Sequence, residues 1–306
     1  MDGVFAPILA QHFQTAQKSL AKSMRPNFLG IGSVRGGSTW LHQVLKAHPD
    51  FFLPEQRKEI QYFTRFADRD LSWYENFFKD QAATKAKWRG EITPGYLRGH
   101  EAPKRIASLQ SVEKLILTLR NPIDRAWSHY RWHLRVSGEE IPFDRFYNGA
   151  AVLRKLAIEN GQYHRFLQAY LQYFERDQLL LLVFEELVRE PQKAFAALAE
   201  FFEVDPAGFQ PQEAVNQSNL PRNRQLFSLA HQATKWFRRH NLDWIPNAVI
   251  SAGAKKVLEK ESDSEVNHME MNARDRQFLQ ERFAPEVKAL EEFMGRTLPW
   301  PDFHTT

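Results

Sequence analysis

Short apolar runs alternate along the chain with segments of helical spacing. Asn27-Phe-Leu-Gly-Ile-Gly32, Lys114-Leu-Ile-Leu-Thr-Leu119 and Gln178-Leu-Leu-Leu-Leu-Val-Phe184 are almost wholly apolar. Runs this short, without polar alternation, predict strands of a parallel sheet covered on both faces. Trp88-Arg-Gly-Glu-Ile-Thr-Pro94 predicts another strand, stopped at its proline. Trp40, Leu41, Val44 and Leu45 mark one face of a helix over Trp40–His48, ended by Pro49. Further helices are predicted over Leu71–Phe78, Ala102–Ser108, Ile123–His133, from Phe143, over about Gln162–Phe174, over Pro191–Phe202 and over Ala273–Met294, with Gly295 as C-cap. Leu53–Phe63 reads as a loop leading into a short strand or turn. Alternating strands and helices predict an α/β fold, a doubly wound parallel sheet flanked by helices, with a mostly helical region after Phe209.

At 306 residues the chain can bury a substantial core, and 43% hydrophobic with 25% charged residues excludes general disorder. No Pro/Gly/Ser-rich linker and no internal repeat divides it. We read one domain over 1–306: an N-terminal helix over 1–24, an α/β core over 25–205 and a helical and loop cap over 206–306. The net charge of +4 is mild and is not gathered into a Lys/Arg run, which sets nucleic acid aside as a partner. An anionic cofactor or acidic substrate suits that balance, as does plain surface composition. The absence of cysteine excludes disulfides, thiolate metal sites and a Cys nucleophile. The N-terminus carries Asp2 early and reads as an amphipathic helix rather than a secretory signal. No apolar run approaches the ~20 residues that span a bilayer, so no transmembrane segment is expected and the expected location is the cytoplasm.

The chemistry begins at Gly32-Ser-Val-Arg-Gly-Gly-Ser-Thr39, between a strand and a helix. Exposed amides at such a turn, with the helix N-terminus, make an anion site. Gly32 and Gly37 have the spacing of the nucleoside-triphosphate loop, so the sheet is P-loop-like, but Ser38 stands in the place of its lysine. The cation is inside the loop, at Arg35, which can neutralise a 5′-phosphate by a planar fork. A plain strand-to-helix turn is the competing reading. The strand Leu115–Leu119 then ends in Arg120, where a triphosphatase commonly has a magnesium-holding aspartate. An arginine holds no metal but can hold a second phosphate, and Ser128 on the following helix can add a hydrogen bond. Two separate phosphate sites and no metal fit a nucleotide with a 5′-phosphate and a distant 3′-phosphate better than they fit ATP. A strand-end salt bridge is the ordinary alternative for Arg120.

These residues resemble the PAPS-dependent sulfotransferases, which use 3′-phosphoadenosine 5′-phosphosulfate (PAPS), and especially the carbohydrate-modifying branch that includes the heparan sulfate enzymes. Ile31–Thr39 is similar to the family's 5′-phosphosulfate loop, and Leu119-Arg-Asn-Pro-Ile-Asp-Arg-Ala-Trp-Ser-His-Tyr130 to its 3′-phosphate motif. Lys58-Glu-Ile-Gln-Tyr-Phe63 is similar to the segment with the catalytic glutamate, and Gly90–Tyr96 to the one leading to the substrate cleft. The resemblance runs over about Phe28–Phe202 and thins beyond. It implies that Arg35, Gly36, Gly37, Ser38, Thr39 and Trp40 hold the 5′-phosphosulfate end, that Arg120 and Ser128 hold the 3′-phosphate, and that Glu59 is the base. It departs at Arg35, usually lysine, and at Ile92, often lysine. Lys58, Arg222 and Arg224 are candidates for the displaced cation. Asn216–Arg224 reads either as a loop closing over the nucleotide or as an ordinary polar loop.

The implied reaction is in-line sulfuryl transfer from PAPS to a hydroxyl or amine acceptor, a saccharide or small metabolite among the options, leaving 3′-phosphoadenosine 5′-phosphate (PAP). Arg35, the loop amides and Ser38 or Thr39 stabilise the charge on the departing phosphate, and Glu59 accepts the acceptor's proton. Glu59 has a plainer reading as a surface ion pair with Arg57 or Lys58, and His42, His48, His129 and His133 are rival bases. A P-loop kinase or NTPase, and a non-catalytic nucleotide- or carbohydrate-binding protein of the same fold, are the rival classes.

Overall fold

The computed structural model describes residues 25–137, 141–211 and 269–304, with the short pieces 220–221, 233–234, 236–237 and 259–260. The helix expected over 1–24 lies outside the described residues. β1 (Phe28–Gly32), α1 (Ser38–Ala47) and β2 (Phe51–Phe52) open the fold. α2 (Leu71–Glu75) and α3 (Gln81–Lys85) precede β3 (Trp88–Ile92), and α4 (Ala102–Ser108) precedes β4 (Lys114–Leu119). α5 (Pro122–Ser137), α6 (Phe143–Asn148), α7 (Ala151–Ala157) and α8 (Tyr163–Tyr170) lead to β5 (Leu179–Val183). α9 (Phe184–Arg189), α10 (Pro191–Phe202) and α11 (Ala273–Met294) follow.

The sheet runs β2-β3-β1-β4-β5, and every pairing is parallel. The chain starts at the central strand, builds one half of the sheet, then crosses to the other. This reversal separates the loops leaving β1 and β4 and opens a crevice at their carboxyl ends.

Strand periodicity divides the core. Leu29, Ile31, Leu115, Leu117, Leu179 and Leu181 face a layer formed by α5, α8 and α11, through Ile123, Tyr130, Tyr163, Leu167, Leu279 and Phe283. Phe28, Ile116 and Leu182 face the opposite layer, where α1 and α10 contribute Leu41, Val44, Leu45, Phe195 and Phe202. Each fully buried side chain of this size contributes roughly 1.5–3 kcal/mol, and alternation leaves the strands no solvent face. No described helix is long and apolar enough to cross a membrane.

Several boundaries differ from expectation. β2 is two residues long and pairs only with Trp88–Arg89, too short to show a period. The helix expected over Leu71–Phe78 ends at Glu75 and tightens into a 3₁₀ turn that keeps Phe78 buried. α8 stops at Tyr170, although the buried Phe174 carries the apolar pattern past the helix end. In the C-terminal region, Leu220–Pro221 pairs antiparallel with Glu259–Lys260, a contact the helical reading did not anticipate. Ala273–Met294 begins and ends as predicted, because Asn272 caps it by accepting from the Asp275 amide and Gly295 takes φ 66°.

Phe202 is fully buried, with its ring 5.4, 4.8 and 4.9 Å from those of Phe28, Phe51 and Trp88. Phe202→Ala should lower the unfolding free energy by about 3–5 kcal/mol, read from the urea midpoint at unchanged slope.

Candidate active site

The loop after β1 is stitched to the neighbouring strand. The Ser33 amide donates to the Thr118 carbonyl at 3.0 Å, and Thr118 Oγ1 donates to the Gly32 carbonyl at 3.0 Å. Gly36 and Gly37 are sterically required. A Cβ at Gly36 would collide with Ser33 Oγ and lie 2.9 Å from the Thr118 carbonyl, and Gly37 has φ 100° with Phe184 2.8 Å from the Cβ position. Arg35 adopts φ 66°, a left-handed conformation that costs an L residue of order 1–3 kcal/mol. From it, Arg35 Nε donates to Ser128 Oγ at 3.2 Å. Trp40 stacks on Phe195 of α10, with centroids 6.0 Å apart.

Beyond β4, the Arg120 turn is held from three sides. Tyr163 Oη donates to the Arg120 carbonyl at 2.9 Å. Asn121 Oδ1 caps α5 by accepting from the Ile123 amide, its Nδ2 donates to Asp302, and its own amide donates to Glu185. Trp300 Nε1 donates to the other Glu185 oxygen, and Arg276 grips Asp302 through two bonds of 2.6 and 2.8 Å. The Arg120 guanidinium lies 4.6 Å from the Phe184 ring centroid and donates to the Arg35 carbonyl at 3.2 Å. Its Nε is buried without a hydrogen-bond partner among the described residues. The residues expected to hold two separate phosphates are thus brought into contact with one another, because α5 starts directly after β4 and its second turn carries Ser128 back to Arg35.

The pocket is strongly cationic. Burial pulls Arg35 down to about 10, and Arg135, Arg120, Arg131 and Arg125 push it the same way, so it remains protonated at neutral pH. Burial first, then neighbouring arginines, also lower Arg131 and Arg135. Ser128, Arg131 and Arg135 follow at i, i+3 and i+7 on α5, a spacing that puts them on one face. That periodicity was the signal in the sequence for two arginines the motif reading missed. Arg125 is fully buried and donates to the Leu156 and Ala157 carbonyls.

The segment carrying Glu59 lies against this pocket. Lys58 Nζ donates to Thr39 Oγ1 at 2.8 Å, in the first turn of α1. Burial lowers the Lys58 pKa and Glu59 partly restores it. The Arg57 guanidinium is 5.0, 5.5 and 5.7 Å from the rings of Phe66, Trp73 and Phe77. Gln61 Nε2 lies 3.5 Å from Glu59 Oε2. A cavity of about 360 Å³ adjoins, lined by Gln61, Thr64, Arg65, Gly95, Arg98 and Gly99. Ile92 is fully buried over Gly30 and points into the α1 layer. Arg222 and Arg224 lie outside the described residues.

The histidines are poorly placed as bases. Burial, then Lys58 and Lys46, lower His42 to about 4, and burial, then four cationic groups led by Arg125, lowers His129 to about 2. His48 accepts from the Asp50 amide at Nδ1 and makes a 3.0 Å bond to the Asp205 carbonyl through Nε2, a structural brace. The His133 ring packs 5.4 Å from that of Phe146.

A sulfotransferase-domain family model matches residues 25–297. Human bifunctional heparan sulfate N-deacetylase/N-sulfotransferase 3 is 30% identical over 196 residues, covering 59% of this chain and 22% of that protein. Mouse heparan sulfate glucosamine 3-O-sulfotransferase 3B1 is 30% identical over 181 residues, covering 58% of this chain and 45% of that one. The chain therefore spans less than half the length of these curated relatives. A sulfotransferase from Alicyclobacillus acidocaldarius shares the fold with a TM-score of 0.64, over 90% of this chain and 97% of that one, at 22% identity.

Buried like charges predict anion-linked stability. Millimolar sulfate or phosphate should raise the thermal midpoint relative to chloride at equal ionic strength, by roughly 2–4 °C per kcal/mol of binding. Arg120→Ala should lose most of that rise in differential scanning fluorimetry.

Proposed function

The chain belongs to the sulfotransferase-domain family, and from this we propose that it transfers a sulfuryl group from PAPS to a hydroxyl or amine acceptor. The observation carrying this reading is the cluster in which Arg35 donates to Ser128 and Arg120 donates to the Arg35 carbonyl, with Arg135, Arg131 and Arg125 adding like charge around it. The buried, unpartnered Arg120 Nε supports the fit of a doubly phosphorylated nucleotide. The nucleoside-triphosphatase alternative is opposed by Ser38 in the place of the loop lysine and by the Arg120 strand end.

PAPS, when bound, supplies the sulfuryl group and a phosphate leaving group. Arg35 and the amides of Gly37, Ser38 and Thr39 hold the 5′ end, where the α1 N-terminus adds positive potential, while the Gly36 amide donates within the loop to the Ser33 carbonyl. Arg120 and Ser128 hold the 3′-phosphate. Trp40 supports the loop from behind, through its stack on Phe195. Of the cations considered for the place of Ile92, Lys58 has the supporting contact: its bond to Thr39 Oγ1 brings its ammonium to the phosphate loop. Lys58 stabilises charge on the leaving oxygen. Glu59, the next residue, takes the acceptor's proton. The adjoining cavity, with Arg65 and Arg98 at its wall, suits a polar acceptor carrying negative groups. The heparan sulfate named for both relatives supports a saccharide.

Calorimetry in EDTA should give a micromolar Kd for PAP and much weaker binding of 5′-AMP; equal affinities would refute the two-phosphate grip. Arg120→Ala and Ser128→Ala should weaken PAP binding more than they lower kcat. Glu59→Gln should keep PAP affinity and lose ~10²–10⁴-fold in kcat, measured with labelled PAPS across an acceptor panel. Lys58→Met should lower kcat by ~10²–10³-fold, as the loss of one oxyanion-type donor does.

A further inference from the structure

We propose that Glu91 is a positioning residue: its ionised carboxylate is the hub of a hydrogen-bonded latch that holds the Glu59 segment against the sheet. The kinetic part of this proposal rests on the reading of Glu59 as base; the latch itself does not.

Glu91 lies in β3 and is 1% exposed. Oε2 accepts from Thr93 Oγ1 at 2.6 Å and from the Ile60 amide at 3.3 Å. Oε1 accepts from Tyr96 Oη, and from Tyr74 Oη at 3.4 Å. Thr93 and Tyr96 direct their hydroxyl hydrogens at Glu91, which leaves their lone pairs to accept the next two amides. Gln61 N donates to Thr93 Oγ1 at 3.2 Å and Tyr62 N to Tyr96 Oη at 2.9 Å. Three consecutive amides after Glu59 therefore end on one carboxylate, the first directly and the others through one hydroxyl each. Gln61 has φ 61°, a left-handed backbone that persists only where surrounding contacts impose it. On the other side of Glu59, Arg57 is seated among three aromatic rings.

The latch is directional. A carboxylate accepts only, so all four donors can point at it. A proton on Glu91 would have to donate to the Thr93, Tyr96 or Tyr74 hydroxyl, reversing it in a buried site and costing the carboxylate one of its donors. Glu91→Gln has the same defect, since its amide nitrogen cannot accept. The groups facing Glu91 are Tyr74 from α2, Tyr96 and Thr93 from the turn after β3, and Glu59 from the segment it holds; Tyr62 stacks on Tyr74 at 4.5 Å. Burial pushes Glu91 up to about 7, the bonds from Thr93, Tyr96 and Ile60 draw it down, and Glu59 raises it. The latch is thus held above that pH and released below it. An apolar residue would fill this space without such a desolvation cost, and the carboxylate adds a fixed position for Glu59.

The test combines amide exchange with kinetics. In the wild type, intrinsic-rate-corrected protection of the Ile60, Gln61 and Tyr62 amides should fall about tenfold as pH drops through 7, the loss of one hydrogen bond to a charged group. Glu91→Gln should show the low protection at every pH. Its kcat should fall about tenfold or more, with PAPS KM and PAP Kd unchanged, and the acid limb near pH 7 should vanish from its kcat profile. Thr93→Val and Tyr96→Phe cut one arm each and should deprotect the Gln61 or Tyr62 amide selectively, so the proposal stays testable if Glu91→Gln folds poorly. Wild-type protection in Glu91→Gln, or in both single-arm variants, overturns the latch. Lost protection with unchanged kcat overturns the positioning role. A wild type that transfers no sulfuryl group overturns the functional reading and leaves the exchange result standing.

Discussion

Guanidinium groups withdrawn from water beside one another are tolerated only where something negative is brought to them. That constraint organises this molecule. Arg35 is half-buried, left-handed in backbone and pressed by other arginines, yet its side chain is hydrogen-bonded to a serine hydroxyl. The protein invests tertiary structure in keeping this arrangement. Asp302 and Trp300, near the end of the described chain, reach back to Asn121 and Glu185 and hold the turn that carries Arg120. Tyr163 holds the same turn from α8. Arg276 of α11 and the tail residues Trp300 and Asp302 serve as scaffolding for one strand end.

The sheet explains where this pocket lies. With β1 central, the connection leaving it runs towards β2 and the one leaving its neighbour β4 runs the other way, to β5, so the loops leaving β1 and β4 diverge and leave room between them. β3 then supplies the third wall. Its continuation, Glu91 to Tyr96, receives the amides of the Glu59 segment, and Lys58 crosses to Thr39. The proposed base and the proposed leaving-group cation are thus neighbours in sequence that face different partners.

Most of the fold was legible because local signals were complete. Ala102–Ser108 and Pro191–Phe202 carry a proline in the first turn, Ala273–Met294 carries its own caps, and all three carry an apolar period. β1, β4 and β5 announce themselves as apolar runs. The misjudged ends were those where buried residues lie outside regular structure, such as Phe174, or where a strand exists only through its partner, such as β2.

The sequence by itself determined the Gly-rich loop after β1, the Arg120 strand end and the Glu59 segment, because each is a contiguous stretch whose chemistry lies in residue order. Only the tertiary structure decided that Arg35 meets Ser128, that Lys58 reaches Thr39, that Ile92 is core, and that Glu91 receives three amides from a segment some thirty residues earlier. Those facts are contacts between distant positions. Strand pairing and helix packing create them, and no local propensity encodes them.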